Sequence, residues 1–536
     1  MRLHLKFVSV AELLSGKASL TPRTLGLTVS GEWESAAVPP STPHLEHHIG
    51  LIAEGDYSQV SSNVFSSIRH QNIKPKKSTR EQKIPLADSP VSIKPEPMSD
   101  KWSSHRNEFM ANLTKETSVL LKTLYDLGIP LHVVHHQLAT PNHLIGQLAT
   151  HTSHSRRRLE QFQDPTSHPK YHKKPLPASK DNLSFHHIPY NDIWLRDTAP
   201  IFLQAIPCRA LDDDLTRSYD NKAYKSYGSV IGGAVIFKFN GWGRKYPHQH
   251  DQALAKKWLF SLARQGSLAG YDDFFIFETD FICEGGALEC NGAGLALTTA
   301  SVLLNASRQN NRAPHGYLTE HEVASVLKEL LGLNHVIFLP TGLPDDDTDG
   351  HIDNICRFVN THTVLMAEKS LHSYTFPPRI NDSAFNYHTS TTTHKPINSR
   401  IVSKKERLLN KILAANQQVL ACFNPLHLSA GQFPLDIKSL PLPPTFYRET
   451  NDADNNLIAL PRSYLNYLTV ASTLLVPSYD RDYEEKHIEP IFKEVFPKYS
   501  IHWIDWRSHS WEGGGLHCRL MKIPPLPPAL RSSQPN

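Results

Sequence analysis

The chain has 536 residues, a fifth of them charged, a formal net charge of +4, and six irregularly spaced cysteines with no CxxC pair. This balance gives no reason for a nucleic-acid partner, the cysteine spacing is neither a disulfide framework nor a zinc signature, and no apolar run approaches the roughly 20 residues that span a bilayer. A cytoplasmic location fits, without membrane or nucleic acid as partner; Arg2, Lys6, Lys17 and Arg23 against Glu12 alone leave mitochondrial import as a minor alternative.

In chain order, residues 1–30 read as an N-terminal extension. Residues 56–104 are rich in Ser, Pro, Lys and Gln, with little apolar periodicity, and are expected to be disordered. A second polar insertion, 154–180, carries Arg156-Arg157-Arg158 and stands just ahead of Asn191-Asp192-Ile193-Trp194-Leu195-Arg196-Asp197-Thr198-Ala199-Pro200. Apolar runs then alternate with amphipathic ones: 229–240 as strand, 251–264 as helix, 273–277 as strand, 319–331 as helix. That alternation is an α/β pattern. Two further insertions are expected near 371–400 and 434–456, and a Pro-rich tail at 525–536.

Four segments pair a reactive group with a turn. Besides the Asn191 segment, Cys283-Glu284-Gly285-Gly286 holds a carboxylate at a glycine turn. Residues 345–359 run from an acidic turn through His351-Ile352-Asp353 into an apolar stretch, which reads as a turn feeding a strand. In a strand, residues two apart share a face, so His351 and Asp353 would look into one site. Finally Gly513-Gly514-Gly515-Leu516-His517-Cys518 leads three glycines into a thiol, either a presented nucleophile or a buried cysteine packed as a small hydrophobe. If 517 and 518 lie in a strand, His517 faces away from the thiol and is a poor base. Cys283, Cys290 and Cys356 read as packed strand residues.

On these blocks the chain resembles the agmatine deiminase and Porphyromonas-type peptidylarginine deiminase family of guanidine-modifying enzymes. Gly31-Glu32-Trp33-Glu34, the segment 237–243 ending in Gly241-Trp242-Gly243, Leu303-Leu304-Asn305 and Ser463-Tyr464-Leu465-Asn466-Tyr467 extend the match, in family order, over most of 31–524. The resemblance implies a pentein fold, a five-bladed propeller of ββαβ units with long polar insertions, and one catalytic domain over 31–524. It implies hydrolytic deimination, most simply of agmatine to N-carbamoylputrescine and ammonia in putrescine biosynthesis, with no cofactor and no metal. Asp197 and Asp353 would clamp the planar guanidinium through its N–H groups, and Trp194 would wall it. Cys518 would attack its carbon, and His351 would serve as acid and then base. Glu284 would hydrogen-bond His351 and favour the imidazolium. Asp192 and Arg196 read as structural.

The chain departs from the family pattern at Ala199, where a Gly is usual, and at Arg519-Leu520-Met521-Lys522 after the cysteine. The second departure bears on the substrate, since arginine or an arginyl peptide would want donors such as Arg519 where agmatine wants acceptors. Peptidyl-arginine deimination therefore stands as the alternative. A metal-dependent hydrolase using Asp345, Asp346, Asp349, His351 and Asp353, or an inactive relative acting through its basic loops, are readings of other classes. The family often forms homodimers, and the oligomeric state is left open.

Overall fold

Two helices show how local sequence sets the elements. Glu320–Leu331 starts at a Thr319 capping box with Glu322 and stops at Gly332, which adopts φ 63°. Between the caps Val323, Val326, Leu327, Leu330 and Leu331, spaced three and four apart, form its buried stripe. Gln249–Arg264 buries Leu254, Ala255, Trp258, Leu259 and Leu262 by the same spacing. The computed structural model describes residues 1–18, 20–25, 27–29, 48–52, 100–136, 183–205, 231–309, 316–371, 399–423, 435–449, 457–470 and 472–524. The Gly31 to Glu34 block, most of the expected insertions and the tail lie outside the described residues.

Five times the same local connection recurs. A short strand pairs antiparallel with a second strand, and the chain then crosses through a helix to a third strand parallel to the second. Ile201–Ala205, Ile231–Lys238 and Asp273–Ile282 do so around the helix Gln249–Arg264. Glu289–Cys290, Leu295–Thr299 and His335–Leu339 do so around Glu320–Leu331. Cys356–Phe358, Thr363–Glu368 and Asp436–Pro441 use Ser399–Cys422, while Leu468–Val470, Thr473–Ser478 and Ser500–Asp505 use the helical run 481–495. The fifth set joins the two ends of the chain: Leu520–Ile523 pairs antiparallel with His48–Ile52, which crosses through Asp100–Asp126 to Leu131–His135. The fold is therefore mixed α/β. Central strands such as Leu295–Thr299 and Thr473–Ser478 are buried along their whole length, as strands covered on both faces must be.

Three expectations about organisation change. The N-terminal stretch is part of a sheet: Arg2–Val8 adds a parallel strand to Asp273–Ile282, and Leu27–Val29 pairs with Ile201–Ala205. Residues 100–104, assigned to the first insertion, open the helix Asp100–Asp126. Within 434–456, Asp436–Pro441 is a crossover strand and Tyr447–Glu449 pairs with Leu457–Ala459. Among the described residues no helix is long and apolar enough to cross a membrane.

Candidate active site

Each of the five repeated units is entered through a turn, and the reactive residues sit in those turns. Asp197 precedes Ile201–Ala205, Glu284 precedes Glu289–Cys290, Asp353 precedes Cys356–Phe358, Asn466 precedes Leu468–Val470, and Cys518 precedes Leu520–Ile523. All five are at least nine-tenths buried. Asp197 lies on the short helix Leu195–Thr198, which stops at Ala199 with an ordinary extended conformation, φ −79°. Alanine therefore fits where the family pattern has glycine.

Cys518 Sγ lies 3.8 Å from Asp353 Oδ2 and 3.6 Å from Asn466 Oδ1. Asp197 accepts hydrogen bonds from the Trp242 indole N–H at 2.9 Å and from Gly286 N at 2.9 Å, and its Oδ1 is 3.7 Å from His351 Nδ1. A Cβ on Gly286 would stand 2.5 Å from His351 Nδ1 and 2.8 Å from Asp197 Oδ1, so only glycine lets this backbone close on both groups. The structure thus brings Cys518, Asp353, Asp197, His351 and Glu284 to one buried place. Trp194 stands beside it, its ring against Gly514 in the loop that leads to the thiol.

Several details differ from the sequence reading. His351 and Asp353 do not share a strand face; His351 caps, and Asp353 lies within, a single 3₁₀ turn, Ile352–Asn354, ahead of the strand. His517 and Cys518 likewise lie in a 3₁₀ turn, so the histidine does not face away: its Nδ1 is 2.9 Å from Asp353 Oδ2. Glu284 does not hydrogen-bond His351, the two being 3.9 Å apart; its Oε1 accepts from Arg308 Nε at 3.0 Å. Arg519 turns away from the thiol and donates to the Ile52 carbonyl. Asp192 accepts from Ile193 N, and Arg196 reaches Met521 Sδ, both structural contacts. Cys283, Cys290 and Cys356 are buried thiols outside any disulfide.

Asn466, Arg308 and His517 are the contributors the sequence reading missed. Asn466 Oδ1 accepts from His517 N at 2.8 Å and Cys518 N at 3.4 Å, while its Nδ2 donates to Asn354 Oδ1 at 3.1 Å. It so joins the turn of Asp353 to the turn of Cys518. Its place within Ser463 to Tyr467 was the available signal.

Burial and charge set the protonation of the site. Burial pushes Asp197 up to about 6, helped by the charges of Asp353 and Glu284 and opposed by His351. Burial alone would lower His351, but Asp197, Glu284 and Asp353 outweigh it and raise it to about 9. Burial also works against the charged forms of Asp353 and Glu284, yet His517 holds the first below its ordinary value, and His351 with Arg308 holds the second below its own. The Cys518 thiol is raised well above the usual range, by burial first and then by Asp353 and Asp197. Among the described residues Asp353 Oδ1, Glu284 Oε2 and both ring nitrogens of His351 make no hydrogen bond although buried. Such atoms are costly unless a ligand satisfies them.

The acidic turn does not gather around a metal. Asp345 meets Lys405 and Ala459 N, Asp346 accepts from Thr348 and Asn354, and Asp349 pairs with Lys245 and Arg308. No group of three or more His, Cys, Asp or Glu among the described residues could hold a metal ion.

Residues 150–524 match the family model of Porphyromonas-type peptidyl-arginine deiminase, and the chain belongs to that family. Closer in, it is similar to agmatine deiminases of Ectopseudomonas mendocina, 28% identical over 64% of this chain and 77% of the relative, and of Pseudomonas aeruginosa, 25% identical over the same shares. In fold it is similar to the agmatine deiminase of Enterococcus faecalis, with TM-score 0.55, 16% identity, and coverage of 95% of this chain and 98% of the other. A substrate-bound agmatine deiminase of C. jejuni gives TM-score 0.53 at 18% identity, covering 93% and 97%.

Proposed function

We propose that this chain is an agmatine deiminase-like hydrolase of C–N bonds in linear amidines, using Cys518 as nucleophile. The observation that carries the reading is the thiol beside buried, unsatisfied carboxylate and imidazole atoms. A guanidinium has N–H groups on every edge and a permanent positive charge, so it would satisfy those oxygens and offset the carboxylates at once. Asp197 and Asp353 hold the substrate, and its cation lowers the neighbouring thiol so that binding releases the Cys518 proton. The thiolate adds to the guanidinium carbon. His351, entering as imidazolium, protonates the departing nitrogen, and ammonia leaves an S-alkylthiouronium. Neutral His351 then takes a proton from water as the oxygen adds, and collapse of the second adduct expels the thiolate and the ureido product. Glu284 keeps His351 charged, and Trp194 closes the wall beside the nucleophile loop.

Asp347 favours agmatine over arginine. Unlike Asp345 and Asp349, it has no cationic side chain paired to its carboxylate among the described residues, and unlike the buried Asp346 it is partly exposed; its Oδ2 accepts from Tyr246 OH at 3.0 Å and faces Gly513 of the nucleophile loop. A carboxylate without a paired cation suits a distal ammonium and repels an α-carboxylate. We read 31–524 as one catalytic domain, its five units set as propeller blades with the entry turns at the centre. The five cysteines among the described residues, none in a disulfide, suit a reducing compartment such as the cytoplasm, and the product suits putrescine synthesis.

The test offers purified protein agmatine, free arginine and a blocked arginyl peptide in parallel and measures ammonia and ureido product. Turnover of agmatine, lost by about 1,000-fold or more in Cys518→Ser and unaffected by chelator, is the expected result. Turnover of the peptide alone transfers the chemistry to protein arginine. No turnover of any of the three sinks the reading.

A further inference from the structure

Behind Glu284 stands a buried cation that the reaction does not touch. Arg308 is 3% exposed. Its Nε donates to Glu284 Oε1 at 3.0 Å, its Nη1 meets the Asp349 carboxylate and Ser307 Oγ, and its Nη2 donates to the Thr348 carbonyl at 2.9 Å. Thr348 and Asp349 belong to the turn that ends at His351, and Thr348 Oγ1 accepts from His351 N at 3.0 Å. One guanidinium therefore ties the turn of Glu284 to the turn of the imidazole. It also supports a third: a Cβ on Gly243 would stand 2.6 Å from Arg308 Nη1, and Gly243 follows Trp242, whose indole holds Asp197.

The geometry points to Arg308 as a positioning residue of the deimination site, one that occupies Oε1 of Glu284, leaves Oε2 to His351, and keeps the carboxylate ionised so that the imidazole enters the reaction protonated. The inference rests on the deiminase reading. Arg308 does not contact the thiol, and its fork is filled by protein groups. The charged and titratable groups around the Glu284–His351 pair are Arg308, Asp197, Asp346, Asp353, Cys283 and, through Arg308, Asp349 with Lys245. Arg308 is the cation in direct contact with Glu284, which without it would have only the imidazolium against the cost of burial. Lysine at this position would keep a charge but not the fork, since an ammonium cannot span Glu284, Asp349 and the Thr348 carbonyl in one plane.

Wild type, Arg308→Gln, Arg308→Lys and Asp349→Asn are compared for agmatine turnover across roughly pH 5 to pH 10. In Arg308→Gln we expect kcat to fall about 100-fold with KM within about threefold, and the acid limb of kcat/KM, which Asp197 sets in wild type, to move up by about one pH unit as Glu284, buried without its cation, takes a proton above it. Arg308→Lys should keep the wild-type acid limb while losing about tenfold in kcat, and Asp349→Asn should show a smaller upward shift. An acid limb in Arg308→Gln that coincides with wild type, or a loss confined to KM, overturns the inference. If Arg308→Gln does not fold, an unmoved limb in Asp349→Asn overturns it and a shifted one supports it. If wild type turns over no guanidine, the deiminase reading fails on its own. The pH dependence of Cys518 alkylation by iodoacetamide, followed by mass spectrometry, then decides the role of Arg308: an upward shift in Arg308→Gln supports it, and coincident profiles overturn it.

Discussion

Asp197 and His351 titrate on opposite sides of neutrality, at about 6 and about 9, and this fixes the expected pH profile. The quantity kcat/KM reports ionisations of the free enzyme. In the proposed mechanism, as pH falls through about 6, Asp197 takes a proton and stops accepting from the guanidinium; as pH rises through about 9, His351 loses the proton it would give to the leaving nitrogen. A bell with limbs near these values is expected from agmatine assays, with about one proton released on binding to wild type and none to Cys518→Ser. An optimum above pH 9 would show instead that the free enzyme must already carry the thiolate. At this scale, the residues proposed to do the chemistry stood out in the sequence: Glu284, His351, Asp353 and Cys518 lie close to glycines or acidic turn residues, and Asp197 lies in a segment with an aromatic, a cation and a second carboxylate. Arg308, Asn466 and His517 did not. Their roles rest on bonds to residues 24, 51 and 164 positions away, Glu284, His517 and Asp353, which no local pattern reveals.

The helix Asp100–Asp126 reaches the site without carrying a reactive group. Glu116 accepts from Ser508 N at 2.8 Å, His509 N at 3.0 Å and His509 Nδ1 at 2.7 Å, and Thr117 Oγ1 meets the other ring nitrogen of His509. His509 in turn stacks on Trp506, with ring centroids 4.2 Å apart. This fastens the start of the loop that runs through the three glycines to Cys518. Glu116→Ala would take the Glu116 carboxylate away from two buried backbone N–H groups and from His509 Nδ1, a loss of about 3 kcal/mol. Thermal unfolding and ammonia release should both register it, with KM and kcat worsening together because the thiol loop loosens. A variant as stable and active as wild type would show that the loop is held from elsewhere. Elements with caps and a clear apolar period, such as Glu320–Leu331, were legible in the sequence. Arg2–Val8 and Asp436–Pro441 were not, since a strand acquires its identity from its partner, and Arg2 pairs with Asp273.

Across the whole molecule, the recurring unit could be expected from the family resemblance but not from any sequence repeat, because its loops vary in length and only the order of connections recurs. That order has a mechanical consequence. Four units are each built from consecutive segments, but the fifth takes its first strand from residues 520–523 and the rest from 48–135. The last strand therefore closes the chain onto its beginning, with Leu520 opposite Leu51 and Ile523 opposite His48. Leu520, Met521 and Ile523 are all buried there, and Cys518 takes its position from the same strand. Ending the chain after Arg519 keeps every reactive residue but removes this closure, exposing the edge of His48–Ile52 and three apolar side chains' worth of contact, about 5 to 8 kcal/mol. That is comparable with the whole stability of a typical domain. The expected outcome is loss of ammonia release together with loss of a single cooperative melting transition by circular dichroism. A truncated protein that melts like wild type, yet is inactive, would show instead that the strand serves only to place the thiol.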